Sequence, residues 1–186
     1  MTVQLTGQLF LVHYCHPNCQ PFQNIMRLSE EEAFLVAEKL AKENPDTTAF
    51  YRFADFVNYY PCRMKTDELL YDQFVRLGGK PKEKHPISFV LQGCDYLDGW
   101  FGHGTAYKIR LSEVSPDSVS FSLGDSCAQY KKNGIIRQLT EEQLLAQIND
   151  FYGGIEAFMK YAAEHYSYIE AQLWDDGLLE KIKKRE

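Results

Sequence analysis

Hydrophobic and polar residues alternate along three stretches of the chain, at 87–92, 106–111 and 118–123, and this alternation predicts three β-strands. In the third stretch Val119, Phe121 and Leu123 alternate with serines at positions 118, 120 and 122. A period of two places these two sets on opposite faces of a strand. No helical pattern separates the three stretches, so antiparallel pairing is favoured over a βαβ crossover, which needs a dozen or more residues.

Two further stretches predict strands. Residues 8–14, QLFLVHY, are apolar in both alternating sets, which is typical of a strand buried on two faces. Residues 48–53 are rich in aromatic side chains and also resemble a strand. Together these patterns predict a mixed or largely antiparallel sheet of about five strands.

Helices are predicted where apolar residues recur every three or four positions behind a capping signal. Ser29 with Glu32 and Thr140 with Gln143 both fit a capping box, and a further helix is predicted from Thr66 to the glycines at 78 and 79. We therefore predict a single α+β domain over residues 1–186, with helices packed on one face of the sheet and a C-terminal helical pair.

The second helix of that pair carries a long apolar stripe, predicted to run over residues 155–173. A stripe of this kind is typical of a helix that covers the core, and the alternative is a seam between two copies of the chain in a homodimer. Its members lie at alternating spacings of three and four: Ile155, Phe158, Met159, Ala162, Tyr166, Ile169 and Leu173.

Charge and composition narrow the classes of function. A formal charge of −6 argues against nonspecific nucleic-acid binding, which depends on Lys and Arg, and against binding to an anionic membrane surface. No run approaches the roughly 20 apolar residues of a membrane span, and the N-terminus lacks the basic region of a signal peptide. Five cysteines, an odd number, predict reduced thiols and a cytoplasmic protein. No motif indicates a cofactor.

The segment from Gly93 to Gly104 is the strongest candidate for a ligand site. Twelve residues are many for a hairpin connection, and long loops with aromatic and titratable residues often carry function. We predict that Trp100 and Phe101 wall a pocket and that Asp98 and Arg63 contact a ligand. The alternative is a compact loop that only tucks Trp100 into the core, with aspartates as turn caps.

A second cluster of chemically active side chains follows the first strand. His13, Cys15, His16 and Cys19 lie within seven residues, and zinc is bound by Cys thiolates and His nitrogens. No second pair of ligands with zinc-site spacing follows, so these residues are weak metal candidates. A strand that ends in a turn with buried thiols explains them more simply.

Two functions remain open from the sequence. The first is a cytoplasmic binding protein whose aromatic loop takes a small molecule, or whose acidic surface takes a protein partner. The second is a small enzyme, a hydrolase or transferase, that uses Asp95, His103 and Asp125 as acid–base groups while Arg63 holds an anionic substrate. The two functions differ in one geometric expectation, because the enzyme needs His103, Asp95 and Arg63 to converge.

Overall fold

The computed structural model describes residues 5–183, and its centre is a six-stranded sheet. The strands are β1 (Phe10–Cys15), β2 (Ile87–Leu91), β3 (Thr105–Arg110), β4 (Val119–Leu123), β5 (Gln138–Thr140) and β6 (Ile169–Leu173). Their order across the sheet is β3-β1-β2-β6-β4-β5, and every neighbouring pair is antiparallel. The predicted α+β fold with an antiparallel sheet is thus confirmed, with six strands in place of about five.

The three strands first predicted from alternation are all present, but they are not neighbours in the sheet. β1 lies between β2 and β3, and β6 lies between β2 and β4. The segment from Gly93 to Gly104 therefore crosses over β1 to reach the edge of the sheet. This crossing explains why it is longer than a hairpin loop.

Eight helices surround the sheet in the described part of the chain. They are α1 (Glu30–Glu43), α2 (Tyr51–Ala54), α3 (Phe56–Arg76), α4 (Asp95–Trp100), α5 (Ser126–Asn133), α6 (Glu141–Asp150), α7 (Gly154–Tyr166) and α8 (Gly177–Lys183). Both predicted capping boxes form, at the start of α1 and at the start of α6.

One face of the sheet is apolar and forms the main core. Phe89, Phe121 and Ala171 lie on this face and are at most 1% exposed. They pack against the inward sides of α6, α7 and α8, which contribute Leu144, Leu145, Ile148, Phe158, Ala162 and Leu179. Burial of this apolar area is the main source of stability for such a layer.

The opposite face of the sheet is polar, yet it is equally buried. The Ser120 hydroxyl accepts hydrogen bonds from Trp174 Nε1 and Gln138 Nε2, both at 2.8 Å, and donates to Gln172 Oε1 at 2.8 Å. Gln172 Nε2 in turn donates to the Ser122 hydroxyl at 3.0 Å. Ser120, Ser122, Gln172 and Trp174 are all 0% exposed, so these side chains satisfy one another instead of binding solvent.

Helices cover this polar face as well as the apolar one. Leu70 and Phe74 of α3 pack with Trp174, and Arg63 of α3 donates to Ser126 of α5. α1 packs outside α3 through Ala33, Ala37 and Phe56. The sequence predicts helices on one face only, because serines that alternate with apolar residues normally face solvent. Here they face a second helical layer.

Two segments differ from the secondary structure that their sequence predicts. Residues 48–53 form a 3₁₀ turn and helix α2 in place of a strand, and α3 begins at Phe56, before Pro61. The apolar stripe predicted as one helix is divided, since α7 ends at Tyr166 and residues Ile169–Leu173 form β6. Both halves are packed into the core of the same chain. Homodimer formation through this stripe stays a prediction.

Part of the N-terminal segment for which no signal peptide is predicted, residues 1–4, lies outside the described residues, as do residues 184–186. The last helix, α8, occupies Gly177–Lys183. Among residues 5–183, no helix combines the length and the hydropathy that a membrane span requires.

Glu141, the first residue of α6, is a buried carboxylate on the core side. It is 7% exposed, and its Oε2 atom has no hydrogen-bond partner among the described residues. Burial raises the pKa of Glu141 to about 7. The ionised form is therefore disfavoured in the folded protein.

The serine network predicts that Ser120→Ala destabilises the protein more than Ser122→Ala. The first change removes a hydroxyl that makes three buried hydrogen bonds, and the second removes the acceptor of one. From about 1 kcal/mol per bond and more for a stranded group, we expect losses in the free energy of unfolding of about 2–4 and about 1 kcal/mol. Urea denaturation measures both, and equal losses would contradict the network.

Glu141→Gln is predicted to stabilise the protein above pH 7. The folded-state pKa of Glu141 lies above the unfolded value, so its contribution to stability is complete at low pH and is lost as pH rises through about 7. At pH 8 we expect a gain of about 1 kcal/mol or more, with little change at pH 4. Glu142→Gln, an exposed neighbour, is the matched control and should show no such dependence on pH.

Candidate functional site

A cavity of about 530 Å³ lies at one end of the polar face, between the sheet and the helices. Strands β1 and β2 line it, together with the segment 16–28 after β1, helices α1 to α3, the turn of α4, and the starts of α5 and β6. Volumes of this size are typical of sites for small organic molecules. The polar residues on its lining include Arg27, Arg52, Tyr59, Arg63, Asp125, Tyr168 and Glu170.

Most of the remaining wall is apolar and aromatic. Trp100 and Phe101 from the loop after β2 lie on this wall, together with Leu97 of the same loop. Phe53 stacks on Phe50 with ring centroids 5.5 Å apart, and both rings also line the cavity. At the outer end, Leu28 and Val36 line the cavity and are 40% and 38% exposed. The cavity therefore offers a largely apolar surface to a ligand.

Arg63 is anchored at the base of the cavity by a buried ion pair. Its Nε atom donates to Asp67 Oδ1 at 2.7 Å, and its Nη2 atom bonds to the same oxygen. Asp67 is 0% exposed, and its second oxygen accepts from His85 Nδ1 at 2.8 Å. Arg63 Nη1 lies 3.9 Å from Glu170 Oε1. Because its charge is already matched on two sides, Arg63 orients neighbouring groups more than it attracts a new anion.

The two carboxylates that line the cavity are both engaged by hydrogen bonds. Asp125 caps α5 by accepting from the Ala128 backbone at 2.8 Å, and its other oxygen accepts from the Tyr168 hydroxyl at 3.2 Å. Glu170 accepts from the Ser126 backbone at 2.8 Å. Burial raises the pKa of Glu170 against the opposing effect of Arg63. Burial, and then the charge of Asp125, raise the pKa of Tyr168.

Arg52 differs from Arg63 in having no carboxylate partner within 4 Å in the described part of the chain. Its guanidinium lies over the rings of Tyr59 and Trp100, with its central carbon 5.3 Å from each centroid. One of its N–H groups donates to the Tyr59 hydroxyl at 3.3 Å. Cation–π contacts of this kind hold a cation in place without neutralising it. The cavity is thus bordered by a positively charged group that can still bind an anion.

The two histidines near the first strand line the cavity with both ring nitrogens occupied. His13 accepts from the Phe22 backbone at 3.1 Å and donates to the Ser88 carbonyl at 2.9 Å. His16 accepts from the Asn18 backbone at 3.2 Å and donates to Thr47 at 3.0 Å. Burial lowers the pKa of both rings, so the neutral forms fit these contacts.

The Cys15 thiol of the same cluster bonds to the backbone. Cys15 Sγ donates to the carbonyl oxygens of His16 and Cys19, at 3.5 and 3.4 Å. Burial raises the pKa of Cys15 to about 11 and also raises that of Cys19. Among residues 5–183 no group of three or more His, Cys, Asp or Glu side chains is arranged to hold a metal ion. The segment serves as a wall of the cavity.

The loop from Gly93 to Gly104 contains helix α4. Some of its predicted site residues line the cavity and others lie outside it. Trp100 and Phe101 line the cavity. Asp98 instead accepts from His103 Nδ1 at 2.7 Å, and the His103 side chain is 77% exposed. Gly104 packs against β1, because a Cβ atom there would lie 2.0 Å from the Cys15 carbonyl oxygen. This glycine therefore serves a backbone contact, and not the approach of a ligand.

The three groups required for the acid–base hypothesis do not come together. Asp95 is exposed on α4, and His103 is exposed on the turn after it. Arg63 lies beside Asp67, with its side chain only 11% exposed. Asp125 is the one predicted acid–base residue that lines the cavity, and both of its oxygens are already bonded. The geometric condition for that enzyme mechanism is therefore not met.

Five of the polar residues on the lining were not predicted from the sequence: Arg27, Arg52, Tyr59, Tyr168 and Glu170. They come from the segment after β1, from α2 and α3, and from the start of β6, and only the fold brings them together. One signal was present, because Arg52 and Tyr59 belong to the most aromatic segment of the chain. Tyr and Arg in such a segment are typical of binding surfaces.

Comparison of the chain with protein-family models, with curated proteins and with solved structures gave no match. The cavity and the groups that line it are therefore the basis for inferring a function.

Asp67→Asn is predicted to destabilise the protein strongly. The change removes the carboxylate that neutralises buried Arg63, and breaking a buried ion pair costs about 3–5 kcal/mol. Asp72→Asn, on the same helix but exposed, is the control and should change the free energy of unfolding by less than about 0.5 kcal/mol. Urea denaturation of the two variants distinguishes a structural ion pair from a dispensable one.

Proposed function

We propose that this chain is a binding protein whose cavity takes a small organic anion with an apolar or aromatic body. The observation that carries the proposal is Arg52, which lies at the cavity without a carboxylate within 4 Å among the described residues. A half-buried cation in such a place gains energy from an anionic ligand because the surroundings screen the interaction less than water does.

The geometry favours a carboxylate over a highly charged group such as a phosphate ester. Arg52 supplies a single planar guanidinium, which matches the two oxygens of a carboxylate. The second arginine at the base, Arg63, is already paired with Asp67 and lies near Glu170. The carboxylates of Asp125 and Glu170 also line the cavity and would repel additional negative charge. A ligand with a single negative charge therefore fits the charges on the lining best.

The body of the ligand is inferred from the walls. Trp100, Phe101, Phe50 and Phe53 present aromatic surfaces, which favour flat or apolar groups. The Trp100 indole N–H is buried without a hydrogen-bond partner among the described residues. Since buried donors are normally hydrogen-bonded, we expect an acceptor atom of a bound molecule, or an ordered water, to accept a hydrogen bond from this N–H group.

We further propose that the protein acts in a reducing compartment such as the cytoplasm. All five cysteines are free thiols, and stable disulfides are typical of oxidising compartments. Binding is favoured over catalysis because the histidine proposed as an acid–base group is on the surface, away from the cavity.

A matched pair of probes tests the proposal, 2-naphthoate and its uncharged analogue 2-naphthamide. Both have the same aromatic body, and only the first is an anion. We expect the carboxylate to bind more tightly by about tenfold or more, since a hydrogen bond to a charged group contributes about 1.5–3 kcal/mol. Isothermal titration calorimetry measures both affinities, and quenching of Trp100 fluorescence is an independent readout.

Arg52→Met is the decisive variant, because methionine keeps the packing on Tyr59 and Trp100 but removes the charge. It should abolish the preference for the carboxylate and leave binding of the amide. Arg76→Met, at the exposed end of α3, should behave like the unaltered protein. Equal affinity for the two probes, or no binding of either at millimolar concentration, would overturn the proposal.

A further inference from the structure

Two cysteine thiols meet beside the base of the cavity. Cys62 in α3 and Cys127 in α5 are 65 positions apart in the sequence, and their Sγ atoms are 3.6 Å apart. Cys62 is half-buried and Cys127 is 7% exposed. In the described part of the chain no other pair of cysteine thiols is joined by a hydrogen bond; Cys15 and Cys94 bond to backbone carbonyl groups instead.

The hydrogen bonds around this pair orient the thiol of Cys127. The Thr66 hydroxyl donates its proton to the Cys62 carbonyl at 2.8 Å, so it can only accept from Cys127, whose Sγ lies 3.5 Å away. The Cys127 proton therefore points to Thr66, and a sulfur lone pair is free to face Cys62. A disulfide has a sulfur–sulfur distance of about 2.05 Å, so the two atoms need to approach by about 1.5 Å.

We propose that Cys62 and Cys127 are a site of reversible covalent modification and that mild oxidation joins them in a disulfide bond. The bond links α3 to α5. It forms directly beside the base of the cavity, because Arg63 follows Cys62 and Ser126 precedes Cys127. Arg63 donates to the Ser126 hydroxyl at 3.4 Å, so movement of either helix changes this contact.

Hydrogen peroxide is a sufficient oxidant for the reaction. The Cys62 thiolate, the more accessible of the two, attacks one peroxide oxygen; the O–O bond breaks, and hydroxide leaves and takes up a proton. Cys127 then attacks the sulfur of the resulting sulfenic acid, the S–S bond forms, and the S–O bond breaks with release of a second water. The two thiols lose two electrons, and one peroxide is reduced to two waters.

Burial explains why the order of attack is asymmetric. It raises the pKa of the Cys127 thiol to about 11, so Cys127 is a poor initial nucleophile and acts as the resolving thiol. The charge of Arg63 acts in the opposite direction on Cys127, which helps its thiolate form once Cys62 is oxidised.

Peptide mapping of the full chain tests the modification. The protein is treated with hydrogen peroxide, its remaining thiols are alkylated without reduction, and its peptides are analysed by mass spectrometry. We expect a linked peptide pair containing Cys62 and Cys127 in the unaltered protein and in Cys94→Ser, and no such pair in Cys62→Ser or Cys127→Ser. Treatment with dithiothreitol should restore both thiols.

The outcomes separate this inference from the proposed function. Accumulation of Cys62 as a sulfinic acid, or its linkage to Cys19 or Cys94, would overturn the modification site, and the map on unaltered protein decides this even where a variant folds poorly. The effect on the cavity rests on the proposed function: oxidation should change the affinity for 2-naphthoate several-fold in the unaltered protein and not in Cys62→Ser. If naphthoate binds neither form, the proposed function fails, while the map still decides the disulfide.

Discussion

The structure depends on a sheet whose polar face is sealed by helices instead of being exposed to water. Polar groups enclosed there need partners, since a stranded donor or acceptor costs about 1–3 kcal/mol, and in the serine network Gln138 Oε1 is the atom left without a partner among the described residues. Ser120 uses its whole hydrogen-bonding capacity, one donor and two acceptors, on Gln138, Gln172 and Trp174. Because these hydrogen bonds form only in one arrangement, they fix the position of the helical layer over the sheet and leave little freedom for alternative packing.

The cavity lies where this sealing stops. Three alternate residues at β6 show the change. Gln172 is fully buried in the serine network. Two positions before it, Glu170 bonds to Ser126 and lies near Arg63, and Tyr168 comes just before the strand. Between Gln172 and Tyr168, the side chains that hydrogen-bond to this part of the sheet therefore change from neutral amides and hydroxyls to ionised groups. Charged groups need more partners than neutral ones. Of the arginines on the cavity lining, Arg27 and Arg63 have a carboxylate within 4 Å in the described part of the chain, whereas Arg52 has none and is reached only by the more distant charge of Asp125.

The periodicity of apolar residues and the helix-capping signals were sufficient to predict four of the six strands and the main helices. Alternation identified β2, β3 and β4, a continuous apolar run identified β1, and Ser29 and Thr140 marked the starts of α1 and α6. The failures have physical causes. Residues 48–53 have strand-like side chains but pack as a helical turn against Phe56. Residues 169–173 continue the helical spacing of α7 by coincidence, and Ser167, at a positive φ of 67°, ends the helix before them.

The site was harder to predict because its chemistry comes from tertiary proximity. Trp100 and Phe101 were recognisable from the length and composition of their loop. Arg52 was marked only by its place in the most aromatic segment of the chain, and that segment was predicted to be a strand, which did not indicate that Arg52 borders a cavity. Its role follows from contrast with Arg63, eleven residues later. Both arginines line the same cavity, but Asp67 neutralises Arg63, whereas aromatic rings only position Arg52. Leaving one unpaired beside a cavity is the arrangement expected where a ligand supplies the missing charge.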